Sequence, residues 1–141
     1  MGQEIKSYKD LIGWQKAMDL VIAVYSITKK FPSEEKFGLI SQMNRSAVSI
    51  PSNIAEGWGR ESTGNYLQFL RNSRASAMEL ETQLIISYKL GYIDKISFEE
   101  FENKINEVSR IIQGIIRSLN SKFITNLIVI CLVDIRYSLF A

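Results

Sequence analysis

The sequence predicts an all-α protein, an antiparallel up-down-up-down four-helix bundle. Four segments carry apolar residues at alternating three- and four-residue spacing, the period that gathers them on one face of a helix. Only short turns separate these segments, so consecutive helices must reverse direction and lie side by side. No strand is needed to account for the pattern, and no fixed repeat period points to a helical array.

The first segment runs from about Leu11 to Lys30, with Trp14, Ala17, Met18, Val21, Val24, Tyr25 and Thr28 as its stripe. Lys29 and Lys30 suit its C-terminal end, and Phe31-Pro32 turns the chain away from helical continuation. Ser33 is the expected N-cap of the second helix, with Glu34 and Glu35 in its first turn. Ile40, Met43, Ala47, Ile50 and Ile54 form the stripe of this helix, which is expected to kink at Pro51 and to reach about Glu56. Gly57-Trp58-Gly59 reads as its stop.

The third helix is expected to start near Ser62-Thr63-Gly64 and to be the longest, on the stripe Tyr66, Leu70, Ser73, Ala77, Leu80, Leu84 and Tyr88. Gly91 stands where a left-handed cap would end it. Ser97 and Glu100 have the spacing of a capping box at the start of the fourth helix. Phe98, Phe101, Ile105, Val108, Ile112, Ile115 and Leu119 then make a narrow seam that ends near Lys122.

Residues 1–122 are thus expected to form the bundle and residues 123–141 an apolar C-terminal extension. At 141 residues one core is expected, with roughly two-thirds of the unfolded chain's surface buried. The extension contains the uninterrupted apolar run Leu127 to Val133, but Thr125, Asn126, Asp134 and Arg136 leave too little for a bilayer, which takes about 20 apolar residues. It is expected to prolong the fourth helix or to pack on another subunit, the alternatives being a disordered or aggregation-prone end and, least of all, a membrane anchor.

Composition excludes several chemistries. The chain has no histidine, which removes the commonest general base and the commonest metal ligand, and with them ferritin-like di-metal sites and serine triads. The lone Cys131 cannot form an internal disulfide, and the start Met1-Gly2-Gln3-Glu4-Ile5-Lys6 lacks the apolar run of a signal peptide, so a cytoplasmic address is expected. The 17 basic and 15 acidic residues leave a net charge of +2, so any nucleic-acid surface must be local. No catalytic residue, cofactor, metal or small-molecule substrate is expected.

Two sets of polar residues are candidates for function. Arg45, Ser49, Asn53 and Glu56 fall in a narrow sector of the second helix opposite its apolar stripe; a solvated face is the simplest account, but Asn and Ser are weak helix formers in mid-helix and favour a hydrogen-bonded interface. Arg60, Arg71 and Arg74, in the loop and early turns of the third helix, could hold phosphate with paired donors. Glu79 and Glu81 lack any partner acid, base or metal motif for catalysis. Trp14, Trp58 and Tyr92 read as packing residues. Asn44-Arg45-Ser46 matches a glycosylation acceptor but lies inside a helix.

The run Gln42-Met43-Asn44-Arg45-Ser46-Ala47-Val48-Ser49-Ile50-Pro51-Ser52-Asn53-Ile54-Ala55-Glu56-Gly57 resembles the bacterial four-helix bundle proteins encoded in 23S ribosomal RNA intervening sequences. Leu11-Ile12-Gly13-Trp14-Gln15-Lys16-Ala17, Tyr25, Phe31-Pro32 and Glu79-Leu80-Glu81-Thr82-Gln83 extend the likeness over roughly Tyr8 to Leu119, leaving the tail outside it. The resemblance implies a homopentameric assembly of bundles, as in the related accessory variability determinant of diversity-generating retroelements, which binds nucleic acid and a reverse transcriptase. It also implies that Arg45, Asn53 and Glu56 sit at or near subunit contacts and that no residue is catalytic. The expected role is therefore a self-associating accessory of RNA, DNA or a ribonucleoprotein; the alternative is a protein-interaction scaffold that binds no nucleic acid.

Overall fold

The computed structural model describes residues 4–140, with side chains through Asn126 and at Ile128 and Val129. The segment Met1-Gly2-Gln3 and the side chains of Cys131, Asp134 and Arg136 lie outside the described residues. A 3-10 turn, Tyr8–Asp10, opens the fold, and the Asp10 carboxylate accepts from the backbone N–H of Ser7 at 2.9 Å and of Lys6 at 3.0 Å. Four helices follow: α1 Ile12–Thr28, α2 Leu39–Trp58, α3 Thr63–Lys89 and α4 Lys95–Phe140. There is no strand among the described residues. α1 packs on α2 and α4, and α3 closes the ring by packing on the same two helices.

The core is where the four stripes meet. Leu20 and Val24 of α1, Met43, Ile50 and Ile54 of α2, Leu70, Leu80 and Leu84 of α3, and Ile105, Val108 and Ile112 of α4 are all essentially inaccessible to water. Burying side chains of this size contributes about 1.5–3 kcal/mol each, which is what holds helices of this length in place. The stripes differ from expectation by single residues: Leu20 and Ile27 are buried in α1 while Tyr25 is exposed, and Ile116 rather than Ile115 is the buried residue near the end of the α4 seam. A lone helix allows either neighbour on its boundary; only the position of the facing helices selects one.

The helix starts also differ, for local reasons. Ser33 does not cap α2, because Ser33–Phe37 curls into a 3-10 turn and α2 begins after Gly38. The cap comes from Glu35, whose carboxylate accepts from the Leu39 N–H at 2.8 Å. Likewise α4 begins before the Ser97 and Glu100 pair: Asp94 accepts from the Ser97 N–H at 2.8 Å and takes the capping role. At the end of α3, Gly91 adopts φ +76°, and the N–H groups of Gly91 and Tyr92 donate to the carbonyls of Tyr88 and Ser87, as the sequence suggested. α2 continues as helix through Pro51 to Trp58.

The hydrogen bonds from Ser97 hold the Asp94 carboxyl below its ordinary value of 3.8 against an opposing desolvation, with the Lys30 charge adding a lesser downward effect. A depressed acid pKa means that stability from this cap is fully present above the unfolded value and is lost as pH falls through the lower folded one. Asp94→Ala is therefore expected to melt below the parent at neutral pH, with the gap closing as pH falls below 3.8. Thermal melts from neutral pH downward check this; a gap that stays constant with pH would contradict it.

α4, and not α3, is the longest helix. It has 46 residues against 27 for α3, and it does not stop at Lys122. Gly13, at the start of α1, lies opposite Ile111 and Ile115 of α4. Beyond Leu119, which packs on the core, each side chain from Ser121 to Asn126 is exposed, as are Ile128 and Val129. Over these residues α4 thus projects beyond the bundle, by about 13 Å to Val129 at 1.5 Å per residue. Among the described residues, no helix is long and apolar enough to cross a membrane.

Candidate functional site

Of the polar residues singled out on α2, Ser49 meets α3, within a hydrogen-bonded seam that also includes Ser46. Its partners pair in opposite order along the two helices: Ser46 with Gln83, Ser49 with Ser76, and Ile50 with Ser73. Small side chains at these positions let the two backbones approach, and the approach brings hydroxyls within reach of partners across the interface. The Ser46 hydroxyl donates to Gln83 Oε1 at 2.7 Å, and Ser73 donates to the Ile50 carbonyl at 2.8 Å, both in the interior. Gln83 Nε2 in turn donates to Glu79 Oε1 at 3.2 Å. A buried network of this kind is stable because its members satisfy one another.

Gly57 closes the seam. A Cβ at this position would lie 2.7 Å from the Phe69 Cβ and 2.8 Å from a ring carbon of Tyr66. The glycine read as a helix stop is buried inside α2, and it is there for close approach to α3.

Of the expected site residues, Ser49 and Asn53 are half-buried at the seam: the Asn53 amide donates to the Ser49 carbonyl at 2.7 Å and hydroxyl at 3.0 Å, and the Ser49 and Ser76 hydroxyls are 2.8 Å apart. Arg45 is exposed and, with Gln42, Ser46, Ser49 and Glu79, lines an open cleft of about 280 Å³. Glu56 is exposed and forms an ion pair with Arg60 one turn later. Arg60 also lies over the Phe69 ring, 4.7 Å from its centroid. Arg71 and Arg74 are exposed on α3 with no carboxylate within 4 Å among the described residues.

Sequence reading missed Ser46, Ser76 and Gln83 as partners of this site. The available signal was that polar residues interrupt the apolar faces of both helices, Ser46 beside Ala47 and Gln83 beside Leu84. That pattern shows a polar interface without showing who pairs with whom.

The aromatic residues read as packing elements do pack. Trp14 meets Tyr8 edge to face at 5.4 Å, and Trp58 meets Tyr66 at 6.3 Å. Tyr92 lies 5.4 Å from Phe31 and donates to Glu35 Oε1 at 3.1 Å, a bond to a negative group that holds its hydroxyl pKa above the usual 10.0. Glu35 thus fastens the α3–α4 turn to the entry of α2. Among the described residues, no group of three or more potential metal ligands is assembled.

The model of the family described as 23S rRNA-intervening sequence protein matches residues 9–114. A solved protein of unknown function from the S23 ribosomal protein family of Bacteroides thetaiotaomicron is similar at a TM-score of 0.70 and 24% identity, over 74% of this chain and 98% of that one. At that identity the likeness shows the fold. No curated protein matches the chain. The family match ends before the projecting part of α4 begins.

Proposed function

This chain belongs to the 23S rRNA-intervening sequence protein family, and from that premise we propose that it is a non-enzymatic, cytoplasmic, self-associating four-helix bundle of up-down topology that serves as a nucleic-acid or ribonucleoprotein accessory. The observation that carries self-association is the apolar outer face of the helices. Ile12, Ile22 and Met78 are 58%, 64% and 56% exposed although the core is closed without them. Between α1 and α2 an apolar groove of about 260 Å³ is lined by Trp14, Met18 and Val48 among others. Such surfaces fit contact with further copies, and the homopentamer is the assembly proposed. Arg45, Ser49, Asn53 and Glu56 are proposed to stand at or near its subunit contacts.

Light scattering at micromolar concentration tests the assembly, and a monomeric mass would remove it. Asn53→Leu is expected to lower stability by about 1 kcal/mol through its lost hydrogen bonds and to reduce the assembled mass. Unchanged melting temperature and mass would assign Asn53 to a solvated face.

Arg71 and Arg74, free of carboxylate partners among the described residues, supply the proposed contact to phosphate, with Arg60 adding the remainder of its charge beyond the Glu56 pair. Each phosphate neutralised on duplex DNA contributes about 0.9 to the log-log salt slope, so Arg60→Gln, Arg71→Gln and Arg74→Gln together should flatten it by about two to three per subunit. Filter binding of duplex DNA and structured RNA across a salt series measures this. No binding by the intact oligomer at low salt would favour a scaffold that recognises protein alone.

A further inference from the structure

A separate cleft, of about 450 Å³, lies where α1 ends and α2 begins. Its chemistry differs from that of the α2–α3 seam. Tyr25, Phe31 and Ile40 supply apolar surface, with Tyr25 43% exposed. Lys29 and Lys36 line the same cleft, and neither has a carboxylate within 4 Å among the described residues.

Two of the nearby acids are engaged elsewhere: Glu35 holds the Leu39 N–H and the Tyr92 hydroxyl, and Asp94 is turned to Ser97. Glu34 stands at the rim, 3.5 Å from the hydroxyl of the cleft-lining Ser33 and not within 4 Å of Lys29 or Lys36. At the rim, Thr28 donates to Asn44 Oδ1 at 3.1 Å, which leaves the Asn44 NH2 donors without a protein partner among the described residues. The cleft therefore offers two unneutralised cations, a flat aromatic face and free amide donors in one concavity.

We infer that this cleft takes one phosphorylated nucleotide of a single-stranded nucleic acid, its phosphate held by Lys29 and Lys36 and its base laid on Tyr25. The chemistry is that of single-strand sites, in which a cationic groove follows the backbone and aromatic side chains accept unstacked bases. A duplex keeps its bases stacked and could not place one in a recess of this kind. The cleft volume falls within the range of small-ligand sites and suits one nucleotide. This inference rests on the accessory role proposed above and adds a contact separate from Arg60, Arg71 and Arg74.

The test uses the full chain and a fluorescein-labelled twelve-residue oligo(U), with anisotropy read across a salt series. Lys29→Gln with Lys36→Gln should weaken binding at low salt and flatten the log-log slope by about 0.7, the value for one phosphate on a single strand. Tyr25→Ala should weaken binding about tenfold with the slope unchanged, as expected for a lost stacking contact. Ultraviolet crosslinking of a 4-thiouridine oligo(U) should label the tryptic peptide 17–29. Circular dichroism melts of both variants should match the parent, since the three side chains are exposed. If the parent binds and these variants bind equally well, the cleft inference is overturned while the accessory role stands. If the parent binds neither oligo(U) nor duplex at low salt, the accessory role itself falls.

Discussion

Gly57→Ala is expected to destabilise the bundle by about 1–3 kcal/mol, the cost of forcing extra volume into a packed interface. The direction is informative because glycine to alanine inside a helix ordinarily stabilises by up to about 1 kcal/mol. Here the new methyl would stand 2.7 Å from the Phe69 Cβ, an atom fixed to the backbone of α3, so relief requires the two helices to separate. Separation would stretch the Ser73 to Ile50 and Ser46 to Gln83 bonds on the same seam. Gly114 is the internal control: it is exposed in α4, a Cβ there would meet no atom within 4 Å among the described residues, and Gly114→Ala should stabilise by about 1 kcal/mol. Denaturant melts of both variants decide the matter. Equal stabilisation by the two would mean that α2 and α3 are not in close contact at Gly57.

Truncation after Lys122 is expected to leave the bundle folded and to weaken association of the chain with other copies. The core is complete without the tail: the last buried residue of α4 among the described residues is Ile116, and Leu119 is the last to pack on the core. Phe123, Ile124, Ile128 and Val129 are each about half exposed, so covering them in an assembly would contribute several kcal/mol, or orders of magnitude in a dissociation constant. The shortened chain should keep a cooperative thermal transition, with less total helix and a lower tendency to associate by light scattering. Loss of the cooperative transition on truncation would place the tail in the core and move the boundary at residue 122.

What the sequence determined by itself was the set of helices and most of their inward faces, because a three-four spacing of apolar residues has one low-energy answer in a chain of this length. It also determined Gly91 as a left-handed cap, since a positive φ is costly for any residue with a Cβ. Tertiary structure alone decided which residues at the edges of those faces are covered, Leu20 and not Tyr25, Ile116 and not Ile115. It decided that Glu35 and Asp94 cap α2 and α4 in place of Ser33 and Ser97, because several oxygens compete for the same N–H groups and the approach of the preceding turn selects among them. It gave Gly57 its role, since a glycine after an apolar stripe reads equally as a stop or as a point of contact until the facing helix is in place. And it paired Ser46 with Gln83, 37 residues apart: a hydrogen bond across two helices depends on their relative register, which no local spacing encodes.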